Sequence, residues 1–280
     1  MSSSARSIYS IVWLGLYHDI GWTTPSVGLA LRTVAPIASA ITTSIIYWLG
    51  ATAANTFDPT KLAFVLVGAI LYTHIAAYSY APTTAIAEGK NLGVFQHVYI
   101  TPRSSAYYLA GRTLASFLVS FVSAMIALII DYYVLTSLLH TSIPLIITPI
   151  SIVLFVFALV VNLPASLALG YMLGAYTLFA SKFEWALPSY VAGIMMVFSG
   201  ALFPPSILPW PLSAFGEALP YTQIISASRD AIIYSQLAAY VSSIAYAFLL
   251  GCVILFASLF LYLRSEKKAR RDGVIDRRLA

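Results

Sequence analysis

Long apolar stretches separated by short polar segments are the main pattern of this sequence. Residues 113–130 carry no charge and are flanked by Arg112 and Asp131. At about 1.5 Å of rise per helical residue, these two charges would lie roughly 28 Å apart, close to the thickness of the hydrocarbon core of a bilayer. In lipid, a helix satisfies its backbone hydrogen bonds within itself. The pattern therefore predicts an all-α, polytopic membrane protein.

Six apolar stretches predict transmembrane helices. They cover residues 33–54, 62–87, 106–135, 145–179, 186–203 and 239–263. Pro144 and Pro188 suit the first turns of the fourth and fifth helices, where a missing backbone N–H is tolerated. Asn162 and Pro164 predict a kink inside the fourth helix, because proline removes a helical hydrogen bond.

The N-terminal segment 5–24 predicts a helix that lies on the membrane surface. Its apolar residues fall at positions 8, 11, 12 and 16, a helical spacing, but the run is too short and too interrupted to span a bilayer. Trp13 and Trp22 would anchor it at the interface. A frayed apolar leader is the alternative interpretation.

The segment 88–103 predicts a polar loop that contains a short helix. Gly89 would end the second span, Asn91 would cap the short helix, and Pro102 would stop it. The apolar residues of that helix share one face: Leu92, Phe95, Val98 and Tyr99. This face suits docking to a soluble partner, or packing on the protein's own bundle, and the sequence leaves both open.

The segment 204–236 is apolar but holds five prolines, at positions 204, 205, 209, 211 and 220. It cannot form one continuous helix, and broken apolar backbone is tolerated where it is buried in protein or lines a cavity. We therefore predict a re-entrant or interfacial hairpin at the outer mouth. The sequence does not distinguish a movable gate from a static plug at this position.

Composition and charge agree with a membrane protein and give its orientation. Hydrophobic residues make up 60% of the chain and charged residues 9%, too few for the surface of a soluble domain of this length. Of the 15 Lys and Arg residues, 13 fall on one side of six spans and two, Lys61 and Arg229, on the other. This bias predicts cytoplasmic termini in the cell (plasma) membrane, with a basic tail at 264–280, and does not favour nucleic-acid binding.

The chain lacks the phosphate-binding loop that ATP hydrolysis would need. Gly89-Lys90 is not preceded by the required glycine, so we expect no ATP binding by this chain. Catalytic residues and a metal site are not predicted either. His74, Tyr78 and Asn162 are the polar candidates for lining a path, and the absence of Asp and Glu from the span centres disfavours a proton-coupled carrier.

Several short motifs, in their order along the chain, resemble those of the ABC type-2 permeases, which are the membrane subunits of ATP-driven exporters. Glu88-Gly89 is followed by Pro102 directly after the second span. The run from Ser199 to Pro204, then Pro209, Pro220-Tyr221 and Arg229, lies between the last two spans. The surface helix at the N-terminus also fits, so the resemblance covers nearly the whole chain.

The resemblance implies a path formed between two six-span subunits, a homodimer or a pair of closely related permeases, surrounded by membrane lipids. Each subunit would dock an ABC ATPase that holds ATP and Mg, while this chain binds no cofactor. The implied ATPase-coupling residues are Glu88, Gly89, Asn91, Phe95, His97 and Pro102. The implied extracellular gate consists of Phe203, Pro204, Pro209, Pro220, Tyr221 and Arg229.

The function that follows is export of a hydrophobic small molecule, a lipid or a lipid-linked glycan by alternating access. The Glu88-Gly89 loop favours the first class slightly, because it resembles that of drug exporters. Two alternatives stay open. A membrane enzyme acting on lipids would need a cluster of His, Asp or Glu near one membrane face, and a scaffold subunit would transport nothing.

Overall fold

The computed structural model describes residues 3–21, 24–91, 93–100, 104–179 and 186–273. Within these ranges all regular secondary structure is helical, which confirms the all-α prediction. The α-helices of the described part are α1 (Ser3–Ile20), α2 (Pro25–Ala53), α3 (Pro59–Ser79), α4 (Ala81–Asn91), α5 (Val94–Ile100), α6 (Ala106–Leu139), α7 (Pro149–Val161), α8 (Leu163–Thr177), α9 (Leu187–Phe198), α10 (Leu212–Ala218), α11 (Pro220–Arg229) and α12 (Leu237–Arg271).

Five helical stretches of the described residues are long and apolar enough to cross a membrane. They are α2, α3 continued by α4, α6, α7 continued by α8, and α12. The first begins at Pro25 rather than at residue 33. The last continues to Arg271, so the basic residues between Arg264 and Arg271 belong to a helix, and the rest of the predicted tail, residues 274–280, lies outside the described residues.

The predicted fifth span, residues 186–203, is not confirmed. Its helix, α9, has 12 residues, or roughly 18 Å at 1.5 Å per residue, which is shorter than the hydrocarbon core. The helix starts at Leu187 with Pro188 in its first turn, as predicted. It ends at Phe198, and Gly200, with a φ of +70°, turns the chain away. The count of six spans therefore rests on how residues 199–236 are placed.

Side-chain caps set the beginnings of two spans. The carboxylate of Asp58 accepts a hydrogen bond from the Thr60 N–H at 2.8 Å at the start of α3. Thr148 and Ser151 form a reciprocal capping box at the start of α7. The prediction that Pro144 begins this helix was wrong, because residues 141–148 have no regular secondary structure and the cap comes later.

The predicted kink in the fourth span is confirmed. Asn162 separates α7 from α8, and Pro164 lies in the first turn of α8. The Asn162 side chain is buried and donates a hydrogen bond to the hydroxyl of Tyr78 at 2.6 Å. The break thus places a polar side chain in the centre of the bundle.

The helix α3 is the centre of the packing. It is the most buried of the five candidate spans, whereas α2 and α12 are the least buried. Its apolar side chains form the main core with residues of α6, α7 and α11. A second, smaller cluster joins α4, α5, α6, α8 and α12 at the end of the bundle that carries Glu88. We call this the Glu88 end.

Candidate functional site

The predicted coupling loop differs from expectation in where its first helix ends. The helix α4 runs through Glu88 and Gly89 to Asn91, so Gly89 does not end it. The chain reverses at Gly93, whose φ of +70° is a left-handed conformation that glycine adopts without steric cost. Asn91 is therefore the last residue of α4 and not the cap of the next helix. The placement of the Asn91 side chain lies outside the described part.

Gly89 instead allows two helices to pack closely. A β-carbon at this position would lie 3.0 Å from the Cβ of Phe95 on α5. Phe95 is buried in the second core cluster with Ile86, Tyr171 and Tyr262. One face of α5 thus packs on the protein's own bundle.

The other face of α5 is open. His97 is exposed, and Ile100 is 80% exposed at the end of the helix. Leu92 and Pro102 lie outside the described residues, as does the side chain of Tyr99. The interpretation as packing therefore applies to the face of Phe95, and docking of a partner stays a prediction.

Lys90 fixes the end of α4 to another helix. Its ammonium donates hydrogen bonds to the carbonyls of Thr177 at 2.5 Å and Leu178 at 3.0 Å. These carbonyls belong to the last turn of α8, where a cation also interacts favourably with the helix dipole. The end of α4 therefore has a defined position relative to α8.

Glu88 contacts the N-terminal helix through His18. The Nε2 of His18 lies 3.1 Å from a carboxylate oxygen of Glu88, and Nδ1 lies 2.9 Å from a guanidinium nitrogen of Arg112. Because arginine only donates, Nδ1 must accept, so in a neutral imidazole Nε2 carries the proton and donates it to Glu88. A single side chain of α1 thus bridges α4 and α6.

Asp19 is the buried centre of the same group. One of its oxygens accepts a hydrogen bond from Ser116 at 2.5 Å, and the other lies 3.4 Å from Arg32 and 3.8 Å from Arg112. Burial raises the pKa of Asp19, but the adjacent His18, the hydrogen bond from Ser116 and the charges of Arg112 and Arg32 outweigh it, so the pKa is lowered below its ordinary value. Asp19 therefore stays ionised at neutral pH.

We call this set the polar junction. It joins α1, α2, α4 and α6, and its members are His18, Asp19, Arg32, Glu88, Arg112 and Ser116.

Arg112 lies at the edge of an apolar stretch, where a long basic side chain ordinarily extends its charge to the membrane interface, but it is buried instead. Arg112 is 4% exposed and donates to His18 and to the carbonyl of Gly15 at 3.4 Å. Arg32, in contrast, has a half-exposed side chain, as expected for a residue near the interface. Arg112 is covered by α1, so its hydrogen bonds go to His18 and Gly15, and the carboxylate of Asp19, 3.8 Å away, gives it an opposite charge inside the protein.

Two glycines let α1 approach α6 closely. A β-carbon on Gly15 would lie 2.6 Å from the Cβ of Ala115, and one on Gly111 would lie 2.2 Å from a methyl carbon of Ile11. The opposite face of α1 exposes three aromatic side chains, Tyr9, Trp13 and Tyr17. The contact of this aromatic face with the membrane surface stays a prediction. Trp22, the second predicted anchor, lies outside the described residues.

The three candidate path residues come together in the core. His74 and Tyr78 have ring centroids 4.9 Å apart, and Tyr78 accepts the hydrogen bond from Asn162. All three side chains are fully or almost fully buried within this one chain. Their role in a path stays a prediction.

The candidate gate residues fall into two groups. Phe203, Pro204 and Pro209 are partly or fully exposed, whereas Pro220 and Tyr221 are buried in α11. The hydroxyl of Tyr221 donates to the carbonyl of Ala165 at 2.9 Å, which ties α11 to α8. Gating by these residues stays a prediction.

Arg229 is held at the other end of the bundle by backbone groups. Its guanidinium makes four hydrogen bonds of 2.7–3.2 Å to the carbonyls of Phe64, Gly200 and Ala201. It also lies 3.3 Å from the centroid of the Phe64 ring. Gly68 makes room for this arrangement, since a β-carbon there would lie 1.9 Å from the Ala201 oxygen.

Sequence reasoning missed the polar junction. His18 and Asp19 look like an interruption of an apolar segment, and Arg112 looks like a residue at the edge of a span. The available signal was a carboxylate and an arginine inside otherwise apolar helices, since such charges are usually paired. Which helices would pair could not be deduced, because the partners are distant in sequence.

A comparison with protein-family models gives one match. The model of the ABC-2 type transporter family matches residues 20–233 of the 280. No curated protein matches the chain. The matched range contains Glu88, the path candidates and Arg229.

Proposed function

Because the chain belongs to the ABC-2 type transporter family and is thus the multi-pass permease subunit of an ABC transporter, we propose that it is an exporter driven by a separate ATPase. The family is a transport component and not a catalytic enzyme by itself. The proposed cargo is a hydrophobic small molecule, a lipid or a lipid-linked glycan. Two copies, or this chain and a related permease, would form the path between them.

We propose that the ATPase, carrying ATP and Mg, docks at the Glu88 end. The observation that carries this proposal is the arrangement of α5, which packs on the bundle through Phe95 while exposing His97 and Ile100. A soluble partner that displaces the exposed face of α5 would also displace the core residues that pack against Phe95. Asn91 and Pro102, at the two ends of this segment, would frame the contact.

Movement of α5 would reach the membrane helices through α4 and the polar junction. Phe95 packs against Gly89, and the neighbouring Glu88 contacts His18 of α1. Through Arg112 and Asp19 the same group of charges contacts α6 and α2. A rigid-body shift of these elements would open the subunit interface to one side and then to the other.

A sixth crossing is part of the proposal. The end of α8 lies at the Glu88 end, where Lys90 bonds Thr177. Ile232 lies near the opposite end, because its carbonyl accepts from Ile146 just before α7 begins. The chain between them therefore passes from one end of the bundle to the other, and α9 would supply most of that passage. This supports both termini on one side, which the charge bias assigns to the cytoplasm.

The alternative of a membrane enzyme deserves comparison with the polar junction, since His18, Asp19 and Glu88 form the kind of cluster that it requires. However, each carboxylate is already occupied. Asp19 is paired with two arginines and Ser116, and Glu88 with His18. Such saturation favours a structural or coupling role over acid–base chemistry on a substrate.

The experiment that tests the proposal is purification of the chain with its associated proteins. We expect an ABC ATPase to co-purify, and its ATP hydrolysis to be stimulated by a hydrophobic small molecule or a lipid after reconstitution in liposomes. Cysteine labelling adds the orientation: Ile207→Cys should react in intact cells and Ile100→Cys only after permeabilisation. Absence of an ATPase, or the reverse labelling pattern, would refute the proposal.

A further inference from the structure

A cavity of about 200 Å³ lies between α2, α3 and α6, next to the polar junction. Asp19, Arg32 and Ser116 line its charged side, and His74 and Ser120 line its inner side. Since a water molecule occupies about 30 Å³ of liquid, this is room for about six water-sized groups. The cavity lies within one subunit.

Three hydroxyl groups of the wall, those of Ser116, Ser120 and Thr73, already donate their protons to the protein. Ser116 donates its proton to Asp19, Ser120 donates to the carbonyl of Phe117 at 3.1 Å, and Thr73 donates to the carbonyl of Ile70 at 2.8 Å. A hydroxyl has one proton and two lone pairs. Each of these three oxygens can therefore still accept a hydrogen bond from a molecule in the cavity.

His74 points to a polar ligand independently of the hydroxyl groups. It is 1% exposed, and neither ring nitrogen has a hydrogen-bond partner among the residues that the structure describes. The backbone of Ser120 also interacts with the ring, at a geometry too poor for a hydrogen bond. A buried imidazole with unused donor and acceptor capacity is unfavourable unless a bound molecule satisfies it.

The mouth of the cavity combines a cation with lipid-facing surface. The Arg32 side chain is 53% exposed, and its bonds to Asp19, at 3.4 and 3.5 Å, are long for a charged pair. Leu31, Ala35 and Ala77 beside it are exposed on the outer faces of α2 and α3. A molecule that enters here would have its anionic group at Arg32 and its apolar part in the bilayer.

We propose that this cavity binds the headgroup of an anionic phospholipid whose headgroup is a polyol, such as glycerol. The phosphate pairs with Arg32. The two hydroxyl groups of glycerol each donate one proton to a wall oxygen of Ser116, Ser120 or Thr73, and one of them accepts a hydrogen bond from the ring of His74. A choline headgroup has no donors for such a wall. This site does not depend on the proposed ATP-driven transport, because lipid binding is measured on the isolated full chain.

The test is lipid binding to the delipidated full chain in detergent, measured by native mass spectrometry. We expect phosphatidylglycerol to bind more tightly than phosphatidic acid, which has the phosphate without the glycerol, and than phosphatidylcholine. Arg32→Gln should weaken phosphatidylglycerol and phosphatidic acid alike, by about tenfold for one charged hydrogen bond. Ser120→Ala should remove the preference between these two lipids.

Controls separate this site from unspecific lipid contact. Lys61→Gln removes an exposed cation at the other end of α3 and should change nothing. His74→Phe should also remove the preference for phosphatidylglycerol over phosphatidic acid. If this variant does not fold, Ser120→Ala alone tests the polar wall. Equal binding of both anionic lipids by the unmodified chain, or unchanged binding by Arg32→Gln and Ser120→Ala, would overturn the proposal. So would equally tight binding of free glycerol phosphate, which would assign the site to a soluble ligand.

Discussion

Arg112 and Arg229 are equally buried, at 4% exposure each, but they are held in different ways. Arg112 contacts side chains of α1, one of which, His18, is itself half-exposed and bonded to Glu88. In the described part of the chain, the guanidinium of Arg229 donates its hydrogen bonds to backbone carbonyls and lies over one aromatic ring, that of Phe64. Side-chain pairs can exchange partners when helices shift, whereas backbone carbonyls of a packed core cannot. The Glu88 end is therefore suited to movement, and the Arg229 end to holding the bundle together.

The largest expected effect is that of Arg229→Met. The substitution removes four charged hydrogen bonds and leaves three carbonyls without that partner, so we expect a loss of about 4 kcal/mol or more. The measurement is thermal unfolding in detergent together with membrane yield. Arg264→Met is the matched control, because Arg264 also lies over a phenylalanine ring but is exposed. Equal stability of the two variants would contradict the assignment of Arg229 as a brace.

The next effect compares two close helix contacts. Gly68→Ala would place a β-carbon 1.9 Å from the Ala201 carbonyl in the core, and Gly15→Ala would place one 2.6 Å from the Ala115 side chain under α1. Overpacking typically costs about 1–3 kcal/mol, and we expect Gly68→Ala at the upper limit or beyond it. Gly15→Ala should cost less, because α1 lies at the periphery and can shift.

Gly50→Ala is the control for both, since a β-carbon there meets no atom within 4 Å. It should be neutral or slightly stabilising in a helix. The unfolding temperatures of the three variants show which end of the molecule tolerates an added methyl group better. A larger loss for Gly15→Ala than for Gly68→Ala would reverse the comparison.

The sequence predicted most of the bundle, because five spans follow directly from long apolar runs between charges. It did not predict that α9 stops at Phe198, since Gly200 and the prolines after it interrupt a segment that is still apolar. Of the candidate site, Glu88 and Phe95 were found from their motif. The contact of Glu88 with His18 was not, because the two residues are 70 positions apart and meet only through the packing of α1 on α6.

A smaller effect on stability, but a large one on function, is expected for Glu88→Gln. The carboxylate is partly exposed, and its partner among the described residues is His18, so the loss of stability should be within about 1 kcal/mol. Transport per ATP hydrolysed should fall, because the link between α4 and α1 is weakened. The measurement is the ratio of transport to ATP hydrolysis in liposomes. Glu217→Gln, an exposed carboxylate on α10, should keep the unmodified ratio.

The smallest expected effect is the loss of stability at low pH that is caused by protonation of Asp19. Because the pKa of Asp19 is lowered in the folded protein, its contribution to stability is complete above its ordinary value near 3.8 and is lost as the pH falls through the folded value. Asp19 should thus leave stability unchanged between pH 7 and 5 and destabilise only below about pH 4. The unfolding temperature of the unmodified chain and of Asp19→Asn, measured from pH 7 to 3, should converge at the acidic end. Divergence there would show that other groups dominate the junction.

Crosslinking to the ATPase tests the coupling role of the Glu88 end most directly. In a Cys252→Ser background, Ile100→Cys and Ile207→Cys place single thiols at two highly exposed isoleucines, 80% and 71% exposed, one on α5 and one in the segment after α9. A thiol-to-amine crosslinker applied to the purified complex should join the ATPase to position 100 and not to position 207. Crosslinking at position 207 alone would contradict the account.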